Sequence, residues 1–173
     1  MLTLLEDVLD AAERARLRAA CDAAGWLARD VADRLHLDVA ATAADAPLFA
    51  RLVDLAAAAT ANAAATAAGA ARPSLRNFEW QRLRHGDYQL LKHDAHTRPP
   101  AAHVELIADF SAAATGEAEV FYTDGAATLF PVPQLPGSVA VVARPPSLLR
   151  YQRYLSLRVG PAAVHRLRLT LTY

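Results

Sequence analysis

The sequence predicts an α+β chain in which a helical first third backs a β-sandwich or barrel. Three observations carry this. Up to about residue 72 the chain is rich in alanine and leucine at helical spacing. After Pro73 runs of β-branched and aromatic residues appear, broken by Gly, Pro and Asp. At the close of the chain Leu167, Leu169 and Leu171 alternate with Arg166, Arg168, Thr170 and Thr172. The period of two gives this strand one apolar face for helices and one polar face for a cavity.

The elements follow in order. Leu2 to Leu9 reads as a short strand or extended lead-in. Asp10 is placed as an N-cap with Glu13 three residues on, as in a capping box. Leu17, Cys21 and Ala24 continue that helix to Gly25, and Trp26 is expected to pack back on it. A second helix begins near Asp45 with Pro47 in its first turn. Leu48, Leu52 and Leu55 form its stripe, and it runs through the alanines to Gly69 or Pro73. Strands are predicted at 78–84, 88–94, 103–111, 117–123, 128–132, 138–144, 149–155 and 164–172. Turn signals separate them, among them His85-Gly86-Asp87, Leu135-Pro136-Gly137 and Gly160-Pro161. Strand parity places Tyr88, Leu90, Lys92 and Asp94 together.

At 173 residues the chain suits one domain, 1–173, with 1–72 as helical support and 73–173 as the β core. Eighteen acidic and eighteen basic residues balance, which gives no general attraction to nucleic acid or anionic membrane. The single cysteine, Cys21, excludes an intramolecular disulfide and fits a reducing, cytoplasmic setting, where it reads as a small buried hydrophobe. The N-terminus carries no signal-peptide pattern. The alanine run at 56–71 reads as a soluble helix, since alanine gains little in lipid. The sequence has no phosphate-cradling Gly-rich loop, no Cys pair for zinc and no nucleophile elbow, and Ser156 with His165 makes no triad. Trp80, Tyr122, Tyr151 and Tyr154 read as packing or pocket-wall residues rather than a nucleic-acid platform.

Five segments in order carry a resemblance. They are Leu5-Glu6-Asp7-Val8-Leu9-Asp10 with the Gly25-Trp26 helix end, Arg82-Leu83-Arg84-His85-Gly86-Asp87-Tyr88, Gly116-Glu117-Ala118-Glu119-Val120-Phe121-Tyr122, Leu135-Pro136-Gly137-Ser138-Val139, and Arg168-Leu169-Thr170-Leu171-Thr172. Together they resemble the prolyl-hydroxylase-like iron(II)/2-oxoglutarate-dependent dioxygenases over nearly the whole chain. The resemblance implies a double-stranded β-helix (jelly-roll, cupin-like) backed by the N-terminal helices. It also implies Fe(II) and 2-oxoglutarate as cofactors. Two histidines and one carboxylate would hold the metal, and an arginine would clasp the distal carboxylate of the keto-acid.

On that resemblance Arg168 is the keto-acid anchor, Arg166 its substitute, and Tyr88 lines the cofactor pocket. The plain alternative makes Arg166 and Arg168 a solvated strand face. Counted from Tyr88, the first metal-histidine position is Lys92 and the carboxylate is Asp94. A second frame starts at His93 and puts Ala95 at the carboxylate, as in the halogenating branch. The second histidine is expected near Leu157 or Arg158, neither an iron ligand, and His165 has the opposite parity to Arg168. Lys92 can instead pair with Asp94 and fill the metal position with an ammonium group. A shifted site from Asp94 with His93, His96 and His103 is the remaining metal arrangement. The functional expectations are therefore a dioxygenase acting on an unknown substrate, an inactive relative binding a small carboxylate, peptide or protein, or a cupin-like metalloprotein. A small molecule or peptide is the expected partner, with no nucleic acid and no membrane; a homo-oligomer stays open.

Overall fold

A computed structural model describes residues 1–23, 46–64, 72–91, 94–95, 98–159 and 164–173, without the side chains of 61–64 and 159. The expectations at Gly25, Trp26, Asp45, Gly69, Lys92, His93, His96, Gly160 and Pro161 lie outside the described residues.

The described elements run β1 (Leu2–Leu5), α1 (Ala11–Ala23), α2 (Ala46–Ala64), β2 (Ser74–Leu83), β3 (His103–Asp109), β4 (Val120–Thr123), β5 (Thr128–Val132), β6 (Val139–Arg144), β7 (Leu149–Gln152) and β8 (Val164–Thr172). A 3-10 turn at Leu157–Val159 precedes β8. β1, β6, β3, β8 and β2 form one antiparallel sheet, and β5, β4 and β7 form a smaller one. Two helices with two such sheets make the jelly-roll-like α+β architecture that the sequence predicts.

Local chemistry fixes each helix. Asp10 Oδ1 accepts a hydrogen bond from the Glu13 backbone N–H at 2.8 Å, which caps α1. The Glu13 carboxylate is used elsewhere, accepting two 2.9 Å bonds from Arg51 on α2. Pro47 stands in the first turn of α2, where no backbone donor is needed. Leu17 and Cys21 of α1 and Leu48, Leu52 and Ala56 of α2 are buried in one cluster. That cluster continues through Trp80, Val104, Leu106, Val139, Val141, Leu167, Leu169 and Leu171 on the larger sheet. The leucine face of β8 thus packs on the helices, as its alternation predicts. No described helix is long and apolar enough to cross a membrane.

The turn before β6 requires a glycine. Gly137 has φ 95°, and an added Cβ would stand 2.8 Å from the Leu9 carbonyl oxygen. Its N–H donates to Asp109 and its carbonyl accepts from Leu9, so this one residue joins the lead-in, β3 and β6.

The predicted strand at 88–94 is corrected. Gln89 makes an isolated bridge to Gln152. The backbone then turns helically: the Asp94 N–H donates to Leu90 at 3.5 Å and the Arg98 N–H to Asp94 at 3.0 Å. Bonds from i+4 to i cannot coexist with a strand's alternation, so the expected shared face of Tyr88, Leu90 and Asp94 is not formed.

Candidate active site in the barrel centre

The second face of the larger sheet looks towards β4 and β7. On β3 it carries His103, Glu105, Ile107 and Asp109; the register sets Glu105 beside Thr170 of β8, Ile107 beside Arg168 and Asp109 beside Arg166. Arg168 and Arg166 are in turn opposite Glu79 and Gln81 of β2. Arg144 ends β6 opposite His103. From the smaller sheet come Tyr122 of β4 and its register partner Arg150 of β7. Two apolar clusters adjoin this space, with Leu83, Ala118, Leu155 and Val164 in one and Ile107, Val120, Tyr122, Val142 and Leu148 in the other. The polar residues between them are almost all buried.

Asp94 enters this centre from the helical turn and is 1% exposed. Its Oδ2 accepts from Arg144 Nη2 at 2.6 Å and from the Arg150 backbone N–H at 2.9 Å, while its Oδ1 accepts from Arg144 Nη1 at 3.2 Å. Arg150 Nη2 lies 3.4 Å from the same Oδ1. Glu105 bridges the same two arginines, accepting from Arg144 Nη1 at 2.5 Å and from Arg150 Nη1. Arg168 pairs with Glu79 and places its Nε 3.9 Å from Glu105. The centre therefore balances three carboxylates, Asp94, Glu105 and Glu79, with three guanidiniums, Arg144, Arg150 and Arg168. Removing an ion from water costs several kcal/mol, and forked, multiply bonded pairs of this kind offset it.

The surroundings respond to these charges. Burial alone would raise the Asp94 carboxyl, but the Arg150 charge and the Arg144 hydrogen bonds outweigh it and hold it below the ordinary value of 3.8. Burial, and then the charge of Arg144, push the His103 imidazole down despite the Ala101 carbonyl oxygen 3.0 Å from its Nδ1. Burial, with Glu105 adding to it, drives the Tyr122 hydroxyl well up. The ring of Tyr122 lies under Arg144, 5.4 Å from centroid to Cζ.

The structure brings together only part of the residue set that the sequence predicts. Asp94 and Arg168 both belong to the centre, joined through Glu105 rather than touching. Arg166 is fully buried, with its guanidinium bonded to the Ala118 carbonyl and 3.4 Å from Gln152 Oε1; burial pushes its pKa down. A solvated face for Arg166 and Arg168 is thereby corrected, since their side chains point into the barrel. Tyr88 lines an outer groove with Tyr151 and Tyr154. The pairing of Asp94 with Lys92 and the metal roles of His93 and His96 lie outside the described residues. Sequence reasoning missed Arg144, Arg150, Glu105 and Glu79. The available signal was the polar parity of β3, in which His103, Glu105 and Asp109 alternate with Val104, Leu106 and Ala108.

No family model matches the sequence, and no curated protein does. Solved structures do match. The 2OG complex of the viral collagen prolyl hydroxylase of Paramecium Bursaria Chlorella virus-1 superposes with TM-score 0.63 at 9% identity, over 99% of this chain and 96% of the other. A prolyl-4-hydroxylase of Pseudomonas putida does so with TM-score 0.63 at 14% identity, over 99% and 92%. The non-heme alpha ketoglutarate dependent epimerase SnoN from nogalamycin biosynthesis gives TM-score 0.69 at 14% identity, over 99% and 77%. The chain has the 2-oxoglutarate/iron(II) oxygenase fold.

That fold implies iron(II) and 2-oxoglutarate, and the described residues at the centre do not fit the metal. Asp94 already carries a bidentate guanidinium and a second one beside it. A dication about 4 Å from each would meet roughly 8 kcal/mol of repulsion per guanidinium at an effective dielectric of 20. Among the described residues no three His, Cys, Asp or Glu side chains are grouped to hold a metal ion. Arg168 bonds Glu79 through Nη2 and has Glu105 near its Nε, while its buried Nη1 has no partner among the described residues. A second carboxylate would meet two internal ones.

The Asp94 pairing also sets a pH dependence. A carboxyl whose folded pKa is depressed contributes stability that is complete above its unfolded value and is lost as pH falls through the folded one. The stability gap between the natural chain and Asp94→Asn is therefore expected to be widest near neutrality and to narrow below about pH 4. Urea denaturation of both proteins at pH 7 and pH 3 checks this; an unchanged gap would contradict the pairing.

Proposed function

We propose that this chain is a non-catalytic form of the oxygenase fold, in which internal ion pairs stand at the barrel centre, and that it works by binding rather than by oxidation. The observation that carries this reading is the clasp on Asp94 by Arg144 and Arg150. A carboxylate so held is not offered to a metal, and freeing it would leave two buried guanidiniums sharing Glu105 alone. The partner on this reading is a small molecule or peptide rather than nucleic acid, in keeping with balanced charge. A cytoplasmic location is in keeping with the single cysteine, Cys21, which is buried and forms no disulfide. An active dioxygenase would need Asp94 released from both arginines and histidine ligands supplied beside it.

Anaerobic titration with iron(II) and 2-oxoglutarate separates the two readings. The expected result is no visible charge-transfer band, no iron retained after desalting and no change in Tm with either compound. A saturable band at one equivalent of iron would refute the non-catalytic reading.

A further inference from the structure

The outer face of the smaller sheet carries a feature that the barrel centre does not use. Phe121 of β4 and Tyr151 of β7 are register partners whose rings stack at 5.1 Å and 17°. The Arg153 guanidinium lies over the other part of this pair, 4.3 Å from the Phe121 centroid. The Gln89–Gln152 bridge ties the segment from Tyr88 to Leu91 alongside β7. Between them runs a groove of about 610 Å³, lined by Tyr88, Leu90, Leu91, Tyr151, Arg153 and Tyr154 together with Gln89 and Gln152. Leu90 and Tyr154 are 40% and 54% exposed, so large apolar side chains stand open to solvent here. Tyr154 is held in place by His85, edge-on at 5.6 Å, whose own Nδ1 lies 3.1 Å from the Leu155 carbonyl oxygen.

The charge of the lining is one-sided. Among the described residues it includes Arg153 and no acidic residue. Arg153 forms no ion pair with any described residue, whereas the neighbouring Arg150 pairs with Asp94 and Glu105. A volume of this size is typical of sites for small ligands, which bury an apolar body and are oriented by few polar groups. We infer that this groove binds an amphiphilic carboxylate, with its apolar body against Tyr88, Tyr151 and Tyr154 and its carboxylate on Arg153. The groove lies outside the ion-paired centre, so its occupancy does not depend on whether that centre is catalytic.

The probe is 2-naphthoate, titrated calorimetrically into the full chain, with neutral 2-naphthamide as its control. The expected result is saturable binding of the carboxylate at one site and about tenfold weaker binding of the amide. Arg153→Gln should weaken naphthoate binding by about the same factor and remove the preference over the amide. Leu90→Glu, which adds an acid to the exposed lining, should abolish naphthoate binding, and Arg158→Gln should leave it unchanged. Far-ultraviolet circular dichroism and Tm identify any variant that fails to fold. The inference is overturned if naphthoate does not saturate the natural chain at millimolar concentration, or if folded Arg153→Gln binds it as tightly. The iron titration reads only the barrel centre, so failure of one reading leaves the other standing.

Discussion

Replacing Arg144 with leucine is expected to destabilise the fold by about 3–5 kcal/mol, because it leaves buried acids without their principal partner. Arg144 bonds Asp94 through both terminal nitrogens and Glu105 as well, and it also donates to the Leu148 carbonyl at 2.8 Å. Asp94 and Glu105 are each 1% exposed, so water cannot replace the lost guanidinium. For a chain of this size the loss corresponds to a fall in Tm on the order of 10 °C. The double variant Arg144→Leu/Asp94→Leu removes one charge of each sign and leaves Glu105 with Arg150. It should therefore recover most of the loss, as charge-balanced apolar replacements of buried pairs do. Urea denaturation of both single variants and the double variant completes the cycle. Simple addition of the two single losses would mean that the residues act independently, against the geometry.

The contrast between β8 and the 88–94 segment shows what was legible in the sequence. In β8 a strict alternation of leucine with arginine and threonine fixes the face of every residue, and both arginines do enter the barrel. At 88–94 the same rule fails because the chain leaves the strand after Gln89 and closes a helical turn. Asp94 reaches the centre by that turn and not by parity with Tyr88. Its partners are also remote: Arg144 is 50 positions on, and the Arg150 amide is 56. Nothing local marks a contact of that range. Only the barrel closure, which lays β6 and β7 against the Asp94 turn, brings those charges together. Arg144 and Arg150 fall in predicted strands either side of the Pro145-Pro146 turn, and nothing in that spacing marks a shared partner. The resemblance to the oxygenases singled out Asp94 and Arg168, and the structure places both at the barrel centre, each in an internal ion pair. Of the other ion-paired residues at the centre, Glu105 carried a sequence signal in the parity of β3, whereas Arg144 and Arg150 are brought there by the barrel closure.

Trp80→Ala is expected to produce a loss of similar size by a different cause. Trp80 is 3% exposed and lies on the helix side of β2. Its ring meets Phe110 edge-on at 5.4 Å and Phe49 of α2 at 6.4 Å, so it fastens the helical layer to the larger sheet. Truncation removes a large apolar area and leaves a cavity that two flanking aromatic rings fill only partly, which costs about 3–5 kcal/mol. Trp80→Phe keeps most of the packing. The indole N–H makes no hydrogen bond among the described residues, so phenylalanine forfeits volume but no partner. Its loss should be well under half that of alanine, on the order of 1–1.5 kcal/mol. Denaturation midpoints of the two variants test this directly, and equal losses would show that the ring does not bridge the layers. Because no charge is stranded, the Trp80→Ala loss should also survive added apolar compensation differently from that of Arg144. A small apolar molecule filling the cavity would raise its Tm, whereas the Arg144 loss is relieved only by removing an acid.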